Sequence, residues 1–248
     1  ERLLLREFKA DLHVHTCLSP CADWEMSPRK IIRACRAAGL GLIAVCDHNS
    51  AENAGAVMSV GRRHGLAVLP GMEICSREEV HVLAVFGVLE QSLTMQEMVY
   101  AHLPGENRPE VFGHQIVATE ADDVLAQNPR LLIGATALSL ADIVRATHAL
   151  KGLSLAAHVD RPTNGLIQQL GFIPQDLNLD GVEVSHRISP AAAQSALPAI
   201  GNLPCLTFSD AHVLSDIGRA HTGFLLEAAT FEELCLALKT TRGRRVLA

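Results

Sequence analysis

Metal-capable side chains recur in this chain at the ends of apolar runs. The first group is Asp11-Leu12-His13-Val14-His15. The others are Asp47-His48, Gly71-Met72-Glu73, His81, His158 and Asp210-Ala211-His212. Side chains at i and i+2 of a strand point the same way. His13 and His15 therefore form one grip and Asp210 with His212 another, and Asp11 is expected on the face of His13. A mixed imidazole and carboxylate set suits zinc, manganese or iron better than calcium or magnesium, which favour oxygen shells. So many donors exceed the four of a tetrahedral zinc site. Two or three ions, bridged by Glu73, fit better. A lone buried histidine is ordinarily a hydrogen-bonded core residue, and HxH alone is a weak motif. Six such features at one end of successive strands are different, because burying them uncompensated would be very costly.

The runs that carry these residues are Lys9–His13, Gly41–Asp47, Leu66–Ile74, Val80–Gly87, Leu153–Val159, Gly181–Ser185 and Cys205–Ser209. Most are continuously apolar, the pattern of parallel strands covered on both faces. Helical patterns lie between them. The first is opened by Ser27-Pro28 and closed by Ala37-Ala38-Gly39. Others cover Ala51–His64, Leu93–Leu103, Ala121–Ala126, Ser139–Leu150, Asn164–Leu170, Pro190–Ala199 and Phe231–Thr240. This alternation predicts an α/β barrel, whose active face lies at the C-terminal strand ends. Residues 88–150 interrupt the rhythm with helices and no convincing strand. They are expected to be an insertion or cap within a single domain spanning 1–248.

Twelve histidines against one Trp and one Tyr make histidine placement the main information in the composition. The net charge is −6 and no Lys/Arg block stands out, so stable duplex nucleic-acid binding is not expected. The seven cysteines are odd in number and form no CxxC pair, which reads as reduced thiols. No signal-like or membrane-length apolar run occurs, so the expectation is a cytoplasmic protein without a membrane partner.

In order along the chain, these segments resemble the five motifs of the PHP family, named for polymerase and histidinol phosphatase. Asp11-Leu12-His13-Val14-His15-Thr16 looks like the first motif. Val45-Cys46-Asp47-His48-Asn49 looks like the second, with Cys46 in place of the usual Thr. Pro70-Gly71-Met72-Glu73-Ile74 with Val80-His81-Val82-Leu83 looks like the third. Ala156-Ala157-His158 and Ser209-Asp210-Ala211-His212 look like the fourth and fifth. The resemblance implies a distorted seven-stranded (β/α) barrel and a trinuclear centre of zinc, manganese or iron. The ligands it implies are His13, His15, His48, Glu73, His81, His158, Asp210 and His212. Asp23 is expected as the ninth, with Cys21 its competitor because thiolate binds soft metals well. Asp11 and Asp47 are expected to hydrogen-bond ligating imidazoles, fixing their tautomers.

A phosphate substrate calls for guanidinium groups. Arg161 resembles the Arg of the family's A-H-P-x-R stretch, with Arg187 and Arg77 as weaker candidates. His186 and His114 are expected substrate contacts. The reaction implied is phosphoester hydrolysis by a metal-activated hydroxide, with Glu73, His158 and Asp210 acting through the bound metals. The expected substrate is a small phosphorylated metabolite, a nucleotide or a short nucleic acid end. Histidinol-phosphatase-like chemistry and a metal-dependent amidohydrolase are the rivals. The latter typically wants a carbamylated lysine on a barrel strand, and no strand here offers one. Specificity is expected from residues 88–150 and the loop 17–26.

Overall fold

Each of the seven apolar runs forms a strand in the computed structural model, which describes residues 4–247. They are β1 (Arg6–Val14), β2 (Leu42–Val45), β3 (Ala67–Cys75), β4 (His81–Val85), β7 (Leu153–Ala156), β8 (Gly181–Val184) and β9 (Cys205–Thr207). Two more, β10 (Thr222–Leu226) and β11 (Arg245–Leu247), extend the same sheet, so it has nine strands and not seven. Its order is β11-β10-β1-β2-β3-β4-β7-β8-β9. The sheet curls until the chain beyond β9 returns to β1, where a parallel bridge joins Val14 and Ala211. Helices α1 (Pro28–Ala37), α2 (Ala54–Arg63), α6 (Leu166–Leu170), α7 (Pro190–Ala196) and α8 (Phe231–Leu238) fill the connections.

The parallel pairing expected for most of the runs fails at β4, which runs antiparallel to both β3 and β7. This reversal explains why His81 begins its strand while the other donors end theirs. His81 pairs with Cys75, and both lie at the same rim.

Residues 88–150 also differ from expectation. They hold α3 (Leu89–Ala101), α4 (Pro109–Phe112) and α5 (Leu140–Ala149), and a separate antiparallel hairpin of β5 (Ile116–Ala118) and β6 (Val124–Gln127). The helix expected over Ala121–Ala126 is instead the end of the turn and most of the second strand of that hairpin. Asp122 takes a positive φ of 71°, and Thr119 closes the turn by accepting from Asp122 at 3.0 Å. Local propensity yields here to turn chemistry.

Alternation along the strands builds the interior in layers. Leu42, Ala44, Leu69, Leu83, Leu155, Leu206 and Phe208 form one buried cluster. Their neighbours Ile43 and Val45 face α1 and α2, and Met72, Ile74, Val82 and Val182 pack in a third cluster. One further step along the inward ladder lie Glu73, His81, Glu183 and Asp210. The top layer of an apolar interior is thus polar.

A bulge in β1 adjusts this layer. Between the pairs Asp11↔Ile43 and Val14↔Val45, β1 advances three residues while β2 advances two. The extra residue resets the alternation, so His13 follows Leu12 onto the inward side. Bulges commonly re-aim side chains beside active sites in this way. Asp11 is therefore not on the face of His13, as simple alternation predicts.

Candidate metal centre

The structure brings all eight expected ligands together at this rim. Glu73 is the hub, buried to 1% exposure. Its Oε1 lies 2.8 Å from His81 Nδ1, 3.0 Å from His158 Nε2 and 3.5 Å from His13 Nε2. Its Oε2 lies 3.0 Å from His48 Nδ1 and 3.5 Å from His15 Nε2. Asp210 Oδ1 stands 3.3 Å from His13 Nε2 and 3.2 Å from His15 Nε2, and 3.5 Å from His212 Nδ1. Burial pushes the Glu73 carboxyl up, but His81, His13 and His48 outweigh it and hold the group well below the usual carboxylate range.

The hydrogen bonds behind these rings show whether a cation fits. His13 Nδ1 lies 2.9 Å from Glu183 Oε2, so it donates and leaves Nε2 as a bare acceptor. His15 Nδ1 lies 2.9 Å from Ser19 Oγ. That hydroxyl spends its own proton on Asp47 Oδ1 at 2.7 Å. It must therefore accept from His15, and His15 Nε2 is bare as well. The two bare nitrogens face each other at 3.1 Å. Two lone pairs at that distance repel unless a cation lies between them and the carboxylates. Three groups converge closely enough to hold an ion: His13, His15 and Glu73; His48, Glu73 and His81; and His15, His48 and His212. The donor set fits divalent metal.

Backbone strain accompanies this convergence. His158 has φ 29° and Asp210 has φ 48°, both in a region that side-chain-bearing residues rarely enter. Such outliers persist where the surroundings over-determine them, typically at functional sites.

Glu183 and Ser19 are functional residues that the sequence reading missed. Glu183 is fully buried on β8, orients His13 and accepts the His158 N–H at 3.3 Å. The available signal was an acid inside the apolar run Gly181-Val182-Glu183-Val184. Together they perform the role expected of Asp11 and Asp47. Asp47 reaches His15 only through Ser19, and also accepts from the Thr16 backbone and hydroxyl, each at 2.7 Å. Asp11 touches no imidazole. It accepts the backbone N–H groups of His13, Ser209 and Gly218, pinning the two ends of the sheet together.

Asp23 is not brought to the cluster. Its side chain is exposed and accepts the Glu25 N–H at 2.8 Å, closing its own turn. Cys21 is the residue whose side chain reaches His48 and His212. Burial pushes its thiol up, but hydrogen bonding to those two rings outweighs this and brings it down to about 6.

A cavity of about 120 Å³ opens above the cluster, lined by His48, Glu73, His81, His158, Arg161, Thr163, Asn164, Asp210 and His212. Arg161 Nη2 lies 2.5 Å from Asp210 Oδ2. Arg187 follows on the β8 loop, which Asp160 clamps to the Arg161 loop by accepting from Ser185 N at 2.7 Å and Ser185 Oγ at 2.6 Å. Arg219 donates its Nε to Ser209 O at 2.9 Å. Exposed His186 sits among these groups: burial first, then the charges of Arg219, Arg161 and Arg187, lower its pKa. His114 lies elsewhere, exposed, with Nδ1 3.2 Å from Gln127 Oε1, beside a separate cavity also lined by Trp24 and Lys30. Arg77 is exposed and pairs with Glu78. All seven cysteines are free. Among the described residues no helix is long and apolar enough to cross a membrane.

Comparisons with known proteins bear on this site. The family model described as PHP-associated matches residues 199–242, the stretch that carries Asp210 and His212. No curated protein sequence matches the chain. Among solved structures, the lesion-specific Endonuclease Q of Pyrococcus furiosus is similar over 97% of this chain and 58% of its own, with TM-score 0.73 and 20% identity. A complex of Endonuclease Q with a 27-mer duplex carrying an abasic lesion gives TM-score 0.71 and 21% identity over the same shares. This chain thus spans 58% of the length of that enzyme. A Bifidobacterium adolescentis protein described as a metal-dependent phosphoesterase is 18% identical, with 82% and 87% of the two chains covered and TM-score 0.52. An amidohydrolase from Chromobacterium violaceum, solved with sulfate, is 19% identical, with 84% and 89% covered and TM-score 0.57.

The Endonuclease Q complex corrects the expectation that duplex nucleic acid is excluded. A fold matching nearly the whole chain occurs in a protein that holds a duplex. A net charge of −6 does not by itself exclude a duplex, because a duplex meets the local charge around a site. The PHP-associated match over residues 199–242 and the shared fold agree with the resemblance of the five ordered motifs to the PHP family.

Proposed function

We propose that this chain is a metal-dependent phosphoesterase that acts on a nucleotide or a nucleic acid strand. The observation that carries the reading is the meeting of Arg161 with Asp210 at the mouth of a small donor-lined cavity. A guanidinium there can take two phosphate oxygens, beside carboxylates and imidazoles that can hold divalent ions. When bound, such ions supply Lewis acidity to a phosphoryl oxygen and to the attacking water.

The chain's own residues do the rest. Glu183 and the Ser19–Asp47 pair hold His13 and His15 in the tautomers that present Nε2. Glu73 and Asp210 provide the negative charge that neutralises the ions. Arg161 orients the phosphate, while His186, Arg187 and Arg219 extend positive charge outward from the cavity. A volume of about 120 Å³ is well below the roughly 300 Å³ or more of sites that enclose whole small molecules. The cavity admits a phosphoryl group and leaves the remainder of the substrate on the rim, as a strand would require. The similarity to Endonuclease Q supports nucleic acid, duplex included, as the substrate to try first. The cavity lining contains no lysine, which gives the amidohydrolase alternative no carbamylated bridge.

The test is a hydrolysis panel with Mn²⁺ or Zn²⁺: p-nitrophenyl phosphate, its bis-ester, nucleotides, histidinol phosphate, and single- and double-stranded oligonucleotides with and without an abasic site. Release of product from phosphoesters, abolished by chelator and by Glu73→Ala, is the expected result. Turnover of C–N substrates alone would overturn it.

A further inference from the structure

Cys21 is held in place by ties to two histidines of the cluster. On one side, Ser19 Oγ accepts the His48 N–H at 3.2 Å. On the other, the Asp23 N–H donates to the His212 carbonyl at 2.8 Å. The intervening turn is closed by Ala22 N donating to Ser19 O at 2.9 Å. Cys21 is thus strung between the backbones of His48 and His212, and its thiol contacts both rings. The loop is also backed from behind. Gly113, at φ 101°, lies so close that an added Cβ would stand 2.2 Å from Pro20 O, and Ile116 N donates to Cys17 O at 2.9 Å.

A cysteine alone would mean little. Independently of it, His15, His48 and His212 converge closely enough to share an ion. The His15 and His212 ring centres are 4.1 Å apart, and those of His15 and His48 are 4.8 Å apart. His15 is fully buried with its Nδ1 turned to Ser19, so its Nε2 lies where this group adjoins that of His13 and Glu73. The neighbouring Cys17 shows the contrast: its thiol points at Ile116 O, away from the cluster.

We propose that Cys21 is a thiolate ligand of the ion held by His48 and His212, and that it biases this position toward soft divalent metals such as zinc, cobalt and iron(II) over manganese and magnesium. The inference rests on the metal-centre reading above. Thiolate donors favour soft ions, where carboxylate or water would favour hard ones. On binding, a sulfur–metal bond forms and the thiol proton passes to solvent.

Cobalt spectroscopy tests this without reference to activity. Cobalt-loaded full chain should show intense near-ultraviolet thiolate-to-cobalt charge transfer. In Cys21→Ser that band should vanish while visible ligand-field bands persist. Iodoacetamide gives a second readout, because Cys21 is the one exposed cysteine among the described residues. Zinc loading should slow its alkylation by roughly tenfold or more, located by mass spectrometry. A charge-transfer band that survives Cys21→Ser, or alkylation at the same rate with and without zinc, would overturn the assignment. Cobalt bound with no such band in the wild type removes Cys21 but leaves the metal centre. No bound cobalt or zinc at all removes both.

Discussion

His13 and Arg161 lie at the same end of the sheet, within reach of the same Asp210 carboxylate, yet they are held in different ways. His13 is fully buried, its ring fixed from behind by Glu183 and its backbone by Asp11. Arg161 is 32% exposed along its side chain and has one ion pair, to Asp210. The floor of the site is over-determined, while the rim is only anchored. This difference suits two tasks. Donors that share ions must hold positions to within about half an ångström. Groups that greet a phosphate chain must adapt to it, and exposed charges remain effective through Coulomb attraction without a fixed pose.

The comparison fails first if floor and rim substitutions cost the same. Glu73→Ala should be the most damaging change, because five imidazoles depend on one carboxylate. Bound metal should drop, and phosphoester turnover should fall by about 10³-fold or more, the scale of losing a major electrostatic group. Metal content by mass spectrometry and initial rates would check it. Activity above one tenth of wild type would show that Glu73 is not the hub.

Glu183→Gln comes next. The amide keeps the volume but presents a weaker acceptor to His13 Nδ1–H. Partners of ligating imidazoles commonly contribute 10–100-fold to metal affinity or activity. A competition titration should show weakened zinc binding of about that size, largely rescued by excess metal. Ser19→Ala should fall lower on the same scale, since it removes one link between His15 and Asp47. Unchanged affinity in both would mean that the floor does not depend on its supporting hydrogen bonds.

Arg161→Ala should leave metal content intact and lower kcat/KM for phosphomonoesters by about tenfold, consistent with losing one charge-assisted hydrogen bond. Loss of metal in this variant would place Arg161 on the floor instead, as a support of Asp210.

The same division separates what the sequence revealed from what it hid. The eight donors were legible because each interrupts an apolar run at one of its ends, although the face of His13 is set by the bulge in β1 and not by period-two alternation. Glu183 was hidden because it lies mid-strand, where one acid among valines looks like an ordinary edge residue until the curl of the sheet turns it inward. Asp11 was misplaced because a one-residue bulge is invisible to alternation. Strands β10 and β11 went unseen because both are short and half-exposed, and Thr222-Gly223-Phe224-Leu225-Leu226 carries little pattern of its own. Asp23 was preferred to Cys21, although their order in a loop says nothing about which one faces a pair of histidines sent from two other strands.

The smallest predicted effect is also the one that reports on substrate. Arg187 is exposed, and its backbone loop is already pinned by Asp160 through Ser185, so Arg187→Ala should disturb neither fold nor metal. Arg219 is a poorer probe because it also braces Ser209 and Asp216. If a strand lies across the rim, removing Arg187 takes away one phosphate contact. Cleavage of p-nitrophenyl phosphate should stay within about twofold of wild type, since that substrate does not reach beyond Arg161. Oligonucleotide cleavage should weaken by a few-fold at low salt, and the slope of log affinity against log salt should become shallower by about one. An equal loss on both substrates would move Arg187 into the phosphoryl site. No loss on either would leave the rim without a strand to hold.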